Sequence, residues 1–205
     1  MAISMVAAGC NNDPSKDKSK AQVSEAVTTP QAAAPKGAVH FAFGAPDSKV
    51  TWVGAKITKK HDGSFGAFTG SIDVVDADPT KSTVTVDIDT STLSADDPKL
   101  TGHLKSADFF DVAKFPHAKF GSTQIKAGGE NGATHTVAGN LELHGVTKAI
   151  SFPATIRLVG DGADVDAEFG INRRDFNIVY PGMPDDLIKD QVLIKLTVRA
   201  KKASR

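Results

Sequence analysis

From residue 39 to residue 200, apolar side chains recur at every second position in run after run. The cleanest run is Thr83-Val84-Thr85-Val86-Asp87-Ile88-Asp89, with valine and isoleucine on one side and threonine and aspartate on the other. Successive side chains of an extended chain point to opposite faces, so this pattern makes ribbons with one greasy and one wet face. The same alternation runs through residues 39–43, 50–56, 68–74, 119–126, 137–143, 150–158, 165–171 and 192–200. Turn-forming clusters punctuate it: Asp62-Gly63, Asp76-Ala77-Asp78-Pro79, Gly128-Gly129-Glu130-Asn131-Gly132, His144-Gly145 and Asp161-Gly162. The pattern predicts an all-β chain of about eight or more antiparallel strands, without the crossover helices that a parallel sheet requires. Such a chain either packs two sheets or closes on itself. Closure removes the edge strands, and an up-and-down barrel of about eight strands can hold one small ligand. Gly70, Gly139, Ala154 and Ala167 fall on the apolar face and leave room there. Periodicity alone does not say whether protein or ligand fills it.

One stretch breaks the alternation. Asp97-Pro98 is a helix start, because the carboxylate accepts from free amides of the first turn and a proline there wastes no donor. Leu100, Leu104 and Ala107 then share a face. Ser106 is placed to cap a second short turn carrying Phe109 and Phe110, and Phe115-Pro116 forces an extended exit. A single helical insertion near residues 97–112 is therefore expected, with Phe109, Phe110, Phe115 and Phe120 clustered at its far end.

The 205 residues suit one domain, residues 38–202, preceded by a tail. The 24 basic and 24 acidic residues balance, which leaves no basic field for nucleic acid. No apolar run reaches bilayer-spanning length. Phenylalanine, at 11 residues against one tryptophan and one tyrosine, suits an interior that makes few hydrogen bonds. The only cysteine, Cys10, follows a short apolar run ending in Ala7-Ala8-Gly9. This resembles the processing site of a bacterial lipoprotein, in which the thiol takes a diacylglycerol. Residues 1–10 are accordingly expected to be a signal remnant and Cys10 the lipidated residue. Residues 11–37, rich in Lys, Ser, Ala, Thr and Pro, read as a disordered tether. The implied location is the periplasm, with the domain anchored to a bacterial membrane through lipid.

Four runs in order resemble the YceI-like family of polyisoprenoid-binding periplasmic proteins with lipocalin-like barrels. They are Ser64-Phe65-Gly66-Ala67-Phe68-Thr69-Gly70; His103-Leu104-Lys105-Ser106-Ala107-Asp108-Phe109-Phe110-Asp111-Val112 on to Phe120; Gly139-Asn140-Leu141-Glu142-Leu143-His144-Gly145-Val146-Thr147-Lys148; and Phe169-Gly170-Ile171-Asn172-Arg173-Arg174-Asp175-Phe176. The chain departs from that pattern at Leu100-Thr101, Ala149 and Asn177, where many relatives carry arginine-aspartate, proline and glycine. The resemblance implies a long apolar pore that holds an isoprenoid tail, such as a quinone or polyprenyl chain. Burial of each methylene would contribute roughly 0.8 kcal/mol.

The candidate ligand-binding residues are Trp52, Phe65, Phe68, Leu104, Leu141, Phe152 and Phe169 as pore lining, with Phe109, Phe110 and Phe115 as a lid or as plain core. Arg173, Asp175 and His103 are candidates for a polar head group, set against a structural ion pair for the first two and a solvated or capping histidine. No catalytic residue is nominated, since no serine sits in a nucleophile elbow and the domain has no cysteine. None of the six histidines has ligand spacing, so no metal site and no cofactor beyond a bound isoprenoid lipid or quinone is expected. Two other functions stay open: an enzyme acting on a small apolar substrate, and a solid-cored protein acting in envelope stress. A homodimer is a further expectation.

Overall fold

The computed structural model describes residues 12–28 and 37–203; Cys10 and the rest of the expected signal remnant lie outside them. The strands in chain order are β1 (Gln22–Glu25), β2 (Val39–Gly44), β3 (Lys49–Ala55), β4 (Lys60–Phe65), β5 (Phe68–Val75), β6 (Asp78–Asp89), β7 (Leu93–Ala95), β8 (His117–Ala127), β9 (His135–Leu143), β10 (Val146–Val159), β11 (Gly162–Asn172), β12 (Gly182–Met183), β13 (Asp186–Leu187) and β14 (Gln191–Lys202). Among the described residues the one α-helix, α1 (Pro98–Lys105), stands between β7 and β8.

Antiparallel pairing runs β2-β5-β6-β8-β9-β10-β11-β14 and returns from β14 to β2, closing a barrel of eight strands. β14 is shared along its length. Its end pairs with β2 at Lys201↔Ala42, while Leu193 to Thr197 pair with β3. β3 then carries β4, and β4 carries β7, so this side of the barrel is extended beyond the ring. α1 packs beside β7, where Thr101 Oγ1 accepts from the Ala95 amide at 2.9 Å. The expected cap is present: the Asp97 carboxylate accepts from the amides of Lys99 and Leu100 at 2.8 and 3.2 Å. Those two amides, Leu100 first, hold the Asp97 carboxyl below the usual aspartate range.

Three packed groups run along the interior. Phe41, Phe43, Phe68 and Val74 fill one end, and Phe152, Phe169, Ile171 and Phe176 the middle. Trp52, Leu93, Leu104, Phe109 and Ile178 fill the end under α1. The groups are continuous, because Val84, Val165 and Leu196 touch the first two and Val192 and Ile194 the last two.

Two expectations are corrected. Asp62-Gly63 does not turn the chain: Gly63 lies inside β4, opposite Trp52 on β3. The turn comes earlier, where the Lys56 amide donates to the Lys59 carbonyl at 2.9 Å. Gly63 is needed for a close approach rather than for a turn, since a Cβ there would stand 2.0 Å from Cζ2 of the Trp52 ring. The second correction concerns the tether. Residues 12–28 lie along the barrel instead, and Gln22 to Glu25 pair with Ser151 to Lys148 of β10.

That pairing fills a seam. β10 and β11 are partners only from Thr155↔Asp166 to Val159↔Gly162. Continued in the same register, Ser151 would face Gly170. Instead Ser151 faces Gln22, and Gly170 bridges in parallel to Lys20. Pro153, which has no amide to donate, stands in the interval where the two strands part.

Candidate functional site

The inward faces of these strands line a cavity of about 240 Å³. Its lining reaches from Phe43 and Val198 at one end, through Ile88, Ala118 and Leu141, to Leu104, Phe109, Phe110 and Ile188 under α1. The only residues of charged type along that lining are Arg173 and Lys189. A cavity of about 150 Å³ lined by aliphatic and aromatic residues stays dry and takes benzene, whereas whole drug-sized sites run to roughly 300–1,000 Å³. The space therefore suits a slim apolar chain of about ten carbons. A wider hollow of about 650 Å³ lies on the outer face of β5, β6, β8 and β9. Thr69, Ser71, Thr83, Thr85, Asp87 and Lys119 line it, so it is a water-facing concavity of the bent sheet.

Most of the sequence candidates gather in this cavity: Trp52, Phe65, Leu104, Phe109, Phe110, Leu141, Phe152, Phe169 and Arg173. The strand pleat delivers those on β3, β4, β9, β10 and β11 to one face. The Phe152 and Phe169 rings stack, with centroids 4.3 Å apart and planes 17° apart, and Phe120 leans on Phe152 at 5.9 Å. Leu104 arrives from α1, and the turn after the helix swings Phe109 and Phe110 beneath it. That turn is fixed by the Phe110 amide donating to the Leu104 carbonyl at 3.0 Å and the Asp111 amide donating to the Ser106 carbonyl at 2.9 Å. Phe110 meets Phe65 edge to face at 5.9 Å. Phe109 and Phe110 are thus cavity wall and core at once.

Four candidates lie elsewhere. Phe68 is buried in the packed group with Phe41 and Phe43 and does not line the cavity. Phe115 packs edge-on against His144 at 4.7 Å, and its carbonyl accepts from Thr90 Oγ1 at 2.7 Å. The His103 ring stands behind Phe109, edge-on to it and to Tyr180 at 4.9 Å each, with Nε2 2.8 Å from Asp108 Oδ2. Asp175 does not take the ion pair expected at this strand end. Arg173 pairs instead with Asp190, 3.1 Å away, and Asp190 also holds Arg174 at 2.7 Å.

Arg173 is 5% exposed. Its Nη1 donates to the Ile178 carbonyl at 2.5 Å and its Nε to the Lys189 carbonyl at 3.2 Å. Burial pushes its pKa down, against the pull of Asp190, yet a guanidinium stays charged. It pins the segment after β11 to the segment before β14 at the α1 end of the cavity, with Ile178 packed beside Leu104 and Phe109. The indole Nε1 of Trp52, another lining residue, is buried without a hydrogen-bond partner. An orphaned donor of this kind is uncommon in an interior.

Sequence reasoning missed part of the lining, notably Ile88, Ala118, Ile188 and Val192. Ile88 was visible as an inward position of the cleanest strand. Ile188 carried no such signal, because it stands in the loop between β13 and β14. Among the described residues no group of three His, Cys, Asp or Glu side chains is arranged to hold a metal ion.

The family described as YceI-like domain matches residues 34–200. A UPF0312 protein of Pseudomonas putida is 40% identical over 128 residues, which is 58% of this chain and 65% of that relative, just under two thirds of its length. A UPF0312 protein of Yersinia enterocolitica is 35% identical over 147 residues, 68% of this chain and 74% of the relative. Among solved structures, Burkholderia cenocepacia BcnA superposes with a TM-score of 0.66 at 24% identity, over 75% of this chain and 96% of that one. A polyisoprenoid-binding domain of Saccharophagus degradans implicated in plant cell wall breakdown gives 0.61 at 16% identity, over 79% and 98%. Likeness at such identities speaks to the fold, an eight-stranded antiparallel barrel with one helix. With its family motifs set in that barrel, the chain belongs to the YceI-like domain family.

Proposed function

We propose that the barrel binds the tail of an isoprenoid lipid, such as a quinone or polyprenyl chain, and sequesters or carries it at a bacterial envelope. The observation that carries this reading is the interior cavity with an all but fully apolar lining that runs from Phe43 and Val198 to the residues under α1. Filling it with about ten carbons removes roughly 8 kcal/mol worth of apolar surface from water, before the cost of immobilising the ligand. A longer tail requires Phe109 and Phe110 to move. The polar end belongs at the α1 end, beside Arg173, Lys189 and Trp52, where a ligand oxygen would give the Trp52 N–H the partner it lacks. The protein is held at the membrane by acyl chains on Cys10, a residue outside those described. Catalysis forms no part of the proposal: Asp175 and His103 do not join Arg173 in the lining, so the three groups needed to polarise a substrate do not converge.

Organic extraction of the protein purified from its native envelope, followed by mass spectrometry, tests the reading. A prenyl lipid at near-stoichiometric amount is expected. Repeated extracts without one, together with no uptake of added geraniol or farnesol, would overturn it.

A further inference from the structure

The wall of the barrel is not built from ring strands alone. Over half of its length, the gap between β10 and β11 is closed by the segment 15–25, which is antiparallel to β10 and parallel to β11. The Ala21 amide donates to the Gly170 carbonyl and the Gly170 amide to the Ser19 carbonyl, each at 2.8 Å. Ala21 and Val23 point inward and pack on the group that holds Ile150, Phe152, Phe169 and Ile171, which are cavity lining. The segment therefore covers the ligand space from the side.

Its attachment is unlike that of the ring strands. Two small apolar residues are its whole contribution to that core group. The remainder is polar: Lys18 to Glu168 at 2.6 Å and Lys148 to Glu25 at 2.6 Å lie at the surface, the buried Ser19 hydroxyl accepts from Asn131 Nδ2 at 2.8 Å, and just past the segment Asn140 clasps the Val27 backbone at 2.8 and 3.0 Å. Exposed ion pairs of this kind hold weakly. At its start, Ser15 is fully buried over Gly170, and the adjacent side-chain oxygen of Gln191 is buried with no partner. Lifting the segment would return that oxygen to water. A surface hollow of about 280 Å³, between Asp17 to Ser19 and the diverging Pro153 to Thr155 and Asp166 to Glu168, marks the fork. Elements with few apolar contacts and exposed hydrogen bonds open first.

We infer that the segment 15–25 is a detachable strand and that the slot it vacates, between β10 and β11, is a lateral port through which an apolar chain enters and leaves the cavity. The inference rests on the carrier reading. The mobile wall admits a flexible chain side-on, without threading it past Arg173 and the packed Phe109 and Phe110.

The test uses the full chain with Cys10→Ser and an apolar fluorophore, N-phenyl-1-naphthylamine, whose exchange is followed by stopped flow. Ser24→Cys with Ala149→Cys places a disulfide across β1 and β10, because these residues face each other. Facing residues of antiparallel strands lie roughly 4.5–5.5 Å apart at Cα, within disulfide range. A control lock, Lys126→Cys with Thr136→Cys, joins β8 to β9 away from the port. Gly170→Ala opens the slot, since its Cβ would stand 2.7 Å from Ser15 Cβ, while the nearest group besides Ser15 is the Gln191 side chain at 3.1 Å. The expected result is dye exchange at least tenfold slower in the oxidised port lock than in the same protein reduced, unchanged rates in the control lock, and faster exchange in Gly170→Ala. Equal rates in the oxidised and reduced port lock overturn the inference while leaving the cavity intact; failure of every variant and the parent to take up dye strikes the carrier reading instead. Hydrogen exchange decides independently of the disulfide. The amides of Ala21 and Gly170 are expected to exchange faster than that of Val86 in the ring, and equal protection overturns a detachable strand.

Discussion

Replacing Ala118 by leucine puts three more carbons into the cavity. Ala118 is 3% exposed, sits opposite Ile88 on the neighbouring strand, and lines the space with it. In a tightly packed core the added carbons would cost about 1–3 kcal/mol, but here they enter unfilled volume, so the ligand-free protein should keep its melting temperature or gain slightly. The ligand loses what the leucine gains. Three methylenes denied burial amount to about 2.4 kcal/mol, or roughly a 60-fold weaker affinity for a chain that fills the parent cavity. A chain three carbons shorter should lose little. Trp52 is the sole tryptophan and lines the cavity, so its fluorescence reports occupancy directly. Titrating parent and variant with primary alcohols of six to twelve carbons gives the length dependence. In the parent, affinity should rise about fourfold per methylene up to about ten carbons; the variant should level off about three carbons earlier. Identical length profiles in the two proteins would refute the reasoning, because the alcohols would then be binding somewhere other than this space.

Arg173→Met leaves the carbonyls of Ile178 and Lys189 buried without their donor, which should lower unfolding stability by about 2–4 kcal/mol in urea titrations. Gly63→Ala forces the Trp52 ring to move, and both a shifted emission maximum and a loss of about 1–3 kcal/mol are expected. Acid should act late. Burial raises the Asp166 pKa, but hydrogen bonds from Arg199 and Arg157 outweigh it and hold the carboxyl below its usual 3.8; the Lys18 hydrogen bond, with Lys195, holds Glu168 below its usual 4.5. Groups depressed on folding stabilise the protein above their unfolded pKa and lose that contribution as pH falls through the folded one. The urea midpoint should therefore fall as pH drops below about 4, with the Lys18 to Glu168 contact of the detachable segment released in the same range. A midpoint that holds unchanged through that range would contradict this assignment.

Alternation made the strands legible because each ribbon must hide one face. The Asp97 cap and the Asp76-Ala77 and His144-Gly145 corners were legible because their chemistry is local; all four corner residues adopt positive φ. What local chemistry could not show was settled by distant partners. Asp-Gly reads as a turn wherever it occurs, yet Gly63 is held in a strand by an indole eleven positions earlier in the chain. Residues 12–28 have the composition of a tether and become ordered only because β10 and β11 leave a slot more than a hundred residues further on. Arg173 found Asp190 across the segment before β14 in preference to Asp175, two positions away. Alternation also gives the face but not the depth: Phe65 and Phe68 both face inward, and only Phe65 reaches the open cavity.

The central claim is that a hydrocarbon chain lies inside this barrel. Isotope-filtered nuclear Overhauser spectra of methyl-labelled protein with unlabelled geraniol measure that contact atom by atom. Cross-peaks from the ligand chain to the methyls of Ile88, Leu141, Ile194 and Val198, which line the cavity from β6, β9 and β14, are the expected result. Cross-peaks confined to exposed methyls such as Val159 and Val179 would contradict the account.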